Sequence, residues 1–214
     1  KMHKAISVIQ FKLEGQLIKR HPEFNMDDRL LLDKIDIQRK QVNIGGKMYD
    51  MIDCDLPTLD PENPYELSAE ENEVIDKLRH SFVRSERLQK DIRFLYSKGS
   101  LYKVYNSNLL YHGCVPLNDD GSFKAVNIEG EKYSGKALYD VLDHYARRGF
   151  YSHDPEEKRK GQDILWYIWA GPDSPVFGKD KMATFERYFV SDPETHVEVK
   201  NSYYALLNNE NVIN

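Results

Sequence analysis

The predicted fold is decided by the stretch Leu101-Tyr-Lys-Val-Tyr-Asn-Ser-Asn-Leu-Leu-Tyr-His-Gly-Cys-Val-Pro116. Its apolar residues are typical of a buried β-strand, and Gly113 and Pro116 indicate that the strand runs into a loop. His112 stands where this strand ends. A rigid strand followed by a glycine holds an imidazole ring in the position that a metal ligand needs, and a hydrogen-bonded loop histidine is the alternative.

The composition is that of an ordinary folded protein. The 214 residues are 40% hydrophobic and 30% charged, which excludes a disordered chain. A net charge of −5 gives no electrostatic reason to expect nucleic acid or an anionic membrane as a partner, and no apolar run is long enough to span a bilayer. Cys54 and Cys114 form neither a metal motif nor a disulfide framework, so a cytoplasmic setting is expected.

The first 99 residues are predicted to be mainly helical. Apolar residues recur at helical spacing from Met2 to Leu17, and His21-Pro22 is expected to end this helix. Because the pattern starts at once, we expect residue 1 to be an internal position of a longer protein. A second, short helix is predicted over residues 27–35.

A hairpin and a long helix are predicted next. Gly45-Gly46 predicts a turn between strands at 41–44 and 47–51, and the prolines between residues 53 and 67 predict an irregular connection. Ser68-Ala-Glu-Glu71 is a capping box, from which one helix is predicted to continue to Lys98. The apolar residues expected on its buried face are Val74, Ile75, Leu78, Phe82, Leu88, Ile92 and Leu95.

Short strands and two helices are predicted beyond His112. A strand is expected from Phe123 to Ile128, followed by a turn at Glu129-Gly130. The two helices are expected from Ser134 to about Gly149 and from Asp154 to Trp169. Helices and strands together predict a mixed fold of the α/β (α+β) class.

Other side chains could also carry chemistry. Cys114 could be a nucleophile paired with a histidine such as His144, and an inert buried thiol is the alternative. His144 and His153 could each bind a metal, or be solvated or capping residues. Lys179 and Lys181 lie on a loop rich in glycine and proline, where lysines can bind a phosphate, and simple exposure to solvent is the alternative.

Several long runs of the sequence are similar to sequences of a known family. They are Lys1-Met-His-Lys-Ala-Ile-Ser-Val-Ile-Gln-Phe-Lys-Leu-Glu-Gly15, Arg20-His-Pro-Glu23, Arg29-Leu-Leu-Leu-Asp-Lys-Ile35, the segment around His112, Tyr133-Ser-Gly-Lys-Ala-Leu138, Trp166 to Pro172 and Phe177-Gly-Lys-Asp-Lys-Met-Ala-Thr-Phe-Glu-Arg-Tyr-Phe189. Together these runs resemble the class 3 fructose-1,6-bisphosphatases of bacteria, and the resemblance extends over nearly the whole chain.

The resemblance implies a calcineurin-like metallophosphatase that removes the 1-phosphate of fructose 1,6-bisphosphate in gluconeogenesis. It implies two divalent metal ions, typically manganese, which polarise the phosphoryl group and activate water. Of the metal-binding motifs of related phosphatases, only the strand-end His-Gly is present, as His112-Gly113, with Cys114 where those enzymes have a second glycine. His112 is thereby implied as a ligand of one metal.

The resemblance also implies that the chain is an internal piece of a longer enzyme. Residues 1–99 would be a helical insertion or cap, and residues 100–214 would form part of the catalytic β-sandwich with flanking helices. The isolated piece is expected to be inactive without the remainder of the polypeptide, and to form a homo-oligomer through the surface that half a sandwich leaves uncovered. A phosphoesterase for another ester and a non-catalytic interaction or regulatory module remain as alternatives.

Overall fold

The computed structural model describes residues 2–210. Residue 1, which we expect to be an internal position, and the end of the predicted second segment at 211–214 lie outside the described residues. No helix in the described range is long and apolar enough to cross a membrane.

The described chain divides into two compact units. The first comprises residues 2–97 and 183–197, and the second comprises residues 98–182 and 198–210. Each unit combines helices with small antiparallel sheets, which gives a mixed α/β structure. The β-sandwich and the separate roles of residues 1–99 and 100–214 stay predictions.

The first unit begins with the predicted helix. This helix, α1, spans Met2–Arg20, and it ends where His21 donates its backbone N–H to the carbonyl groups of Leu17 and Ile18. The short helix predicted over residues 27–35 is wrong. Two 3₁₀ turns, Asp27–Arg29 and Leu32–Lys34, lie there instead and are followed by β1 (Ile35–Asp36).

A buried ion pair explains part of this difference. The guanidinium group of Arg29 donates two hydrogen bonds, of 2.7 and 2.9 Å, to the carboxylate of Glu186, which is completely buried. Glu186 lies on α6 (Thr184–Phe189), 157 residues further along the chain. A contact with so distant a residue competes with the local preference for a helix, and the local pattern contains no sign of it.

The predicted glycine hairpin is confirmed. β2 (Gln41–Ile44) and β3 (Lys47–Asp50) pair in antiparallel register on either side of Gly45-Gly46, and β1 adds a third strand beside β2. The side chain of Val42 is completely buried. It joins a core whose buried residues are Val8, Phe11, Leu31, Leu32, Val42, Met51, Leu56, Tyr65, Phe185, Phe189 and Val190.

A buried lysine links α1 to the start of α2 (Ala69–Arg84). Lys12 is fully buried, and its Nζ atom lies 2.7 Å from Oε2 of Glu71 and 2.6 Å from the carbonyl oxygen of Thr58. Glu71 also accepts hydrogen bonds from the Thr58 hydroxyl, at 2.6 Å, and from the backbone N–H of Ser68, at 2.8 Å. The predicted capping box is therefore confirmed, and its glutamate serves two purposes.

The single helix predicted from residue 69 to Lys98 is wrong in two respects. It is broken at Ser85 into α2 and α3 (Glu86–Lys98), because the Ser85 hydroxyl accepts a hydrogen bond from the backbone N–H of Leu88 at 3.3 Å and caps the second helix. Most of the predicted buried face is exposed, with Phe82 60% and Leu95 64% accessible to solvent, while Ile75, Leu88 and Ile92 are half-buried. Within these two fully described helices only Glu71 is buried.

The buried strand predicted around residues 101–111 is also wrong. The second unit has a hairpin there, in which β4 (Tyr102–Tyr105) pairs antiparallel with β5 (Asn108–Tyr111). Asn106 and Ser107 both have positive φ, as a tight two-residue hairpin turn requires. The side chains of Val104, Leu109 and Leu110 are more than half exposed.

The turn predicted at Glu129-Gly130 is confirmed, and it joins a hairpin whose second strand was not predicted. β6 (Val126–Ile128) is shorter than the predicted strand and pairs with β7 (Glu131–Tyr133). Two helices complete this unit, α4 (Gly135–Tyr151) and α5 (Pro155–Ala170), and a short α7 (Tyr203–Leu206) follows later in the chain.

The two long helices of this unit touch at a pair of glycines. A Cβ atom on Gly149 would lie 2.7 Å from the carbonyl carbon of Gly161, and a Cβ atom on Gly161 would collide with the backbone of Gly149. The backbones of α4 and α5 therefore approach more closely than any other residue type allows.

Candidate metal-ligand site at His112

His112 follows β5 directly, on an exposed turn. Gly113 has φ +84°, and a Cβ atom there would collide with the carbonyl oxygen of Pro175. The next backbone N–H, that of Cys114, donates a 2.8 Å hydrogen bond to the same carbonyl. The turn that carries the imidazole is thus pressed against the Pro175 loop, and glycine at position 113 is what permits this contact.

Further hydrogen bonds hold the backbone on both sides of His112. The hydroxyl groups of Tyr111 and Tyr203 lie 2.6 Å apart, and Tyr139 donates its hydroxyl to the carbonyl oxygen of Cys114 at 2.8 Å. Asn201 accepts the backbone N–H of Leu117 at 3.1 Å. These contacts fix the position of the backbone from which the His112 side chain projects, which is what a ligand of an external metal requires.

The surroundings of the His112 ring show which metal ligands this chain can supply. In the part of the chain that the structure describes, the His112 ring makes no hydrogen bond, so its lone pair is available to a metal. No group of three or more His, Cys, Asp or Glu residues within that part includes His112. The ring fits as one ligand of a metal centre, and the other ligands have to come from elsewhere.

The structure does not support Cys114 as a nucleophile. Its side chain is completely buried, and this burial, together with the negative charge of Asp173, raises the pKa of the thiol to about 11. His144 lies on the exposed side of α4, where its ring contacts the ring of Tyr145 at 5.6 Å between centroids. The inert buried thiol is therefore the better description of Cys114.

Alkylation distinguishes the buried Cys114 from the half-buried Cys54. With a pKa of about 11, only about one in 10⁴ of the Cys114 thiols is a thiolate at pH 7, and the reagent cannot reach it. We expect iodoacetamide to modify the half-buried Cys54 in the folded protein and to modify Cys114 only after denaturation. Peptide mass spectrometry of labelled samples checks this, and fast labelling of Cys114 in the folded protein would contradict it.

The two candidate lysines both interact within the chain. Lys179 Nζ lies 2.8 Å from the carboxylate of Glu198, and the backbones of Lys179 and Lys200 form an isolated antiparallel bridge. Lys181 is half-buried on the same loop and also has an interaction within the protein. A phosphate would therefore have to compete with Glu198 for Lys179.

The residues that support His112 were not predicted from the sequence. Tyr203 is 92 positions from Tyr111, and Asn201 is 84 positions from Leu117. The only local signal was the glycine after the histidine, which predicted a sharp turn. The polar tail sequence that supplies Asn201 and Tyr203 has no pattern that indicates a role as a support.

Comparison with known proteins identifies one family over the whole chain. Residues 1–214 match the family model described as Firmicute fructose-1,6-bisphosphatase. The chain is 60% identical over 211 residues to "Fructose-1,6-bisphosphatase class 3" of Clostridium botulinum (strain 657 / Type Ba4), which covers 98% of this chain and 32% of that protein. It is 56% identical over 215 residues to the protein of the same name from Clostridium tetani, covering 100% of this chain and again 32% of the relative. The chain thus spans about a third of the length of these curated relatives. No solved structure matches.

Proposed function

Since this chain belongs to the Firmicute fructose-1,6-bisphosphatase family, we propose that it is a segment of a longer cytoplasmic enzyme that hydrolyses fructose 1,6-bisphosphate to fructose 6-phosphate and phosphate. The observation that carries this proposal is the 60% identity to a curated protein of that name over 98% of the chain. The reaction is a step of gluconeogenesis. The substrate and the remaining two thirds of the polypeptide are accordingly the proposed partners.

The proposal includes two divalent metal ions, with manganese as the expected metal. When bound, such ions polarise a phosphoryl group and lower the pKa of a coordinated water. The contribution of this chain is His112, whose neutral imidazole would donate a ring nitrogen to one of the ions. The contacts of Gly113 with Pro175 and of Tyr111 with Tyr203 support this role, because they hold the turn in one direction.

The remainder of the polypeptide is proposed to complete the β-sandwich. The pairs β4–β5 and β6–β7 each form a two-stranded sheet within the described residues. A two-stranded sheet is marginally stable unless further strands or a helix cover it. We propose that strands from outside this chain extend these hairpins into the calcineurin-like sandwich, and that the helices of residues 1–99 form a cap or insertion beside it.

Lys179 and Lys181 remain candidates for binding a phosphate group of the substrate. Lys179 would have to exchange the carboxylate of Glu198 for a phosphate oxygen. Such an exchange is chemically reasonable because a lysine ammonium group binds either anion as a point charge.

Activity assays on two proteins test the proposal. We expect the full-length protein to release phosphate from fructose 1,6-bisphosphate in the presence of manganese. The 214-residue chain alone is expected to show no turnover and only weak manganese binding, because a single histidine at the site cannot hold the ion. Manganese binding is measured by the loss of the free-ion signal in electron paramagnetic resonance.

Each result has a distinct meaning. Turnover by the 214-residue chain would contradict the interpretation as an incomplete segment. A full-length protein that hydrolyses other phosphate esters but leaves fructose 1,6-bisphosphate intact would favour the alternative phosphoesterase. A full-length protein without phosphatase activity of any kind would favour the non-catalytic module.

A further inference from the structure

The helices α2 and α3 expose the apolar side that an amphipathic helix normally buries. Leu78 is 40% accessible, Phe82 60% and Leu95 64%, and Val74 is also exposed. We propose that this surface, called here the α2–α3 face, is a homodimer interface in which α2 of one copy lies antiparallel against α3 of a second copy. The proposal concerns assembly and does not depend on the catalytic role of His112.

The spacing of the apolar residues is that of a coiled-coil seam. Positions separated alternately by four and three residues lie on one side of a helix. On α2 and α3 these positions are Val74, Leu78, Ser81, Ser85, Leu88, Ile92 and Leu95. All but the two serines are large and apolar, and the serines stand at the break between the helices.

The charges determine which direction of pairing is favourable. The start of α2 exposes the acidic residues Glu70, Glu73 and Asp76, whereas residues 77–98 carry seven Lys or Arg residues and two acidic residues. Parallel pairing of two copies would place the acidic starts together and the basic ends together. Antiparallel pairing places the acidic start of each copy against the basic end of the other, so electrostatic complementarity favours a second copy in the antiparallel direction.

One register pairs four of the five apolar seam residues and two pairs of flanking charges. Leu78 then faces Leu88 of the second copy, and Val74 faces Ile92 of the second copy. Beside this seam, Lys77 faces Asp91 of the second copy and Glu70 faces Lys98 of the second copy. A two-fold axis repeats every contact, so each pair occurs twice.

The break at Ser85 is compatible with this arrangement. The two-fold axis passes close to Val83, so Ser85 of each copy lies opposite Ser81 of the other and most of each α2 pairs with the α3 of the second copy. Phe82 lies beside the axis, where it contacts Phe82 of the second copy and adds an aromatic contact at the centre of the interface. Arg84 likewise faces Arg84 of the second copy. This contact is unfavourable, but the long arginine side chain can turn its charged group into solvent.

Charge reversal in the full-length protein tests the register. Lys77→Asp replaces two attractive contacts by two repulsive ones, so we expect the dimer dissociation constant to rise by about tenfold or more. Asp91→Lys is expected to have the same effect. The double variant Lys77→Asp/Asp91→Lys restores opposite charges across the interface and is expected to return to within about threefold of the original value. Sedimentation equilibrium gives the constants.

Matched controls lie on the outer side of the same helices. Asp76→Lys and Lys90→Asp make the same changes of charge on the outer side of the helices, one position away from the test residues, and we expect them to change the dissociation constant by no more than about threefold. Lys77 also pairs with Glu73 at 2.6 Å within its own helix, so helix content is compared by circular dichroism. A double variant that is as weak as the single variants would overturn the proposal.

Disulfide trapping distinguishes a second copy from the rest of the polypeptide as the occupant of this face. Two variants, Lys77→Cys and Asp91→Cys, are made with Cys54→Ser and mixed under mild oxidation. We expect a covalent heterodimer from this mixture and none from a mixture of Asp76→Cys and Lys90→Cys. A full-length protein that stays monomeric and forms no covalent dimer would overturn the proposal and assign the face to an intramolecular contact. Neither readout involves phosphatase turnover, so failure here is separate from failure of the proposed function.

Discussion

Replacing His112 by alanine in the full-length protein is expected to lower phosphate release from fructose 1,6-bisphosphate by roughly 100-fold or more. Loss of even an outer-shell partner of a metal ligand typically costs 10- to 100-fold in affinity or activity, and loss of the ligand itself costs at least as much. The ring projects from a turn held by Pro175 and Tyr203, and within the described residues it belongs to no group of three or more possible metal ligands. Part of the activity is expected to return when manganese is added in excess.

Metal content separates loss of a ligand from loss of structure. The His112→Ala protein is expected to contain about one manganese ion fewer per chain by inductively coupled plasma mass spectrometry, with an unchanged circular dichroism spectrum. His153→Ala is the matched control, since His153 is an exposed histidine of the same unit and should affect neither quantity. Full activity and full metal content in His112→Ala would remove this residue from the site.

Replacing Lys12 by methionine is expected to lower the free energy of unfolding by about 3–5 kcal/mol. The change keeps most of the volume and the apolar stem but removes the charge that faces the Glu71 carboxylate at 2.7 Å. Glu71 would remain buried with a negative charge that only the Thr58 hydroxyl and the Ser68 N–H stabilise. Urea unfolding followed by far-ultraviolet circular dichroism measures the loss.

Two further variants identify the cause. Lys4→Met breaks a more exposed pair, Lys4 with Asp53 at 2.6 Å, and is expected to cost no more than about 1 kcal/mol. Lys12→Met/Glu71→Gln removes both charges while keeping an amide at the capping position, so it should be clearly more stable than Lys12→Met alone. If the double variant were the less stable of the two, the buried pair would not be the cause.

The pH dependence provides an independent check with a definite sign. Burial would raise the pKa of Glu71, but hydrogen bonds from Lys12, Thr58 and Ser68 outweigh burial and hold its pKa below the ordinary value. In the unmodified protein this carboxylate therefore contributes stability above its unfolded pKa, and the contribution is lost as pH falls through its folded pKa. In Lys12→Met the unpaired carboxylate favours its neutral form, so the difference in stability between the two proteins should shrink as pH falls from 7 to 4.

The elements that could be predicted depend on residues close together in the sequence. Gly45-Gly46 specifies its hairpin turn, His21-Pro22 ends α1 and the Ser68 to Glu71 box starts α2, each through contacts within a few residues. The failures have the opposite origin. At Ser85 the pattern favours a continuous helix, but a single hydroxyl satisfies the N–H of Leu88 and starts a new one.

Part of the candidate site at His112 could also be predicted from local sequence. The position of His112 at a strand end and the need for a glycine after it could be predicted, because both are local properties. The hairpin was missed because Asn106 and Ser107 were not recognised as a turn, although asparagine tolerates positive φ. The contacts with Tyr203, Asn201 and Glu198 arise only when segments far apart in the sequence fold together, and no local pattern encodes them.

The glycine crossing of α4 and α5 also limits how this sequence can change over evolutionary time. A glycine within a helix costs roughly 0.5–1 kcal/mol relative to alanine, so intrinsic preference alone would favour alanine at both positions. At most buried contacts, a larger residue on one side can be accommodated by a smaller residue on the other. At Gly149 and Gly161 no smaller residue exists, so neither position can compensate for a change at the other, and substitution there requires the two helices to separate.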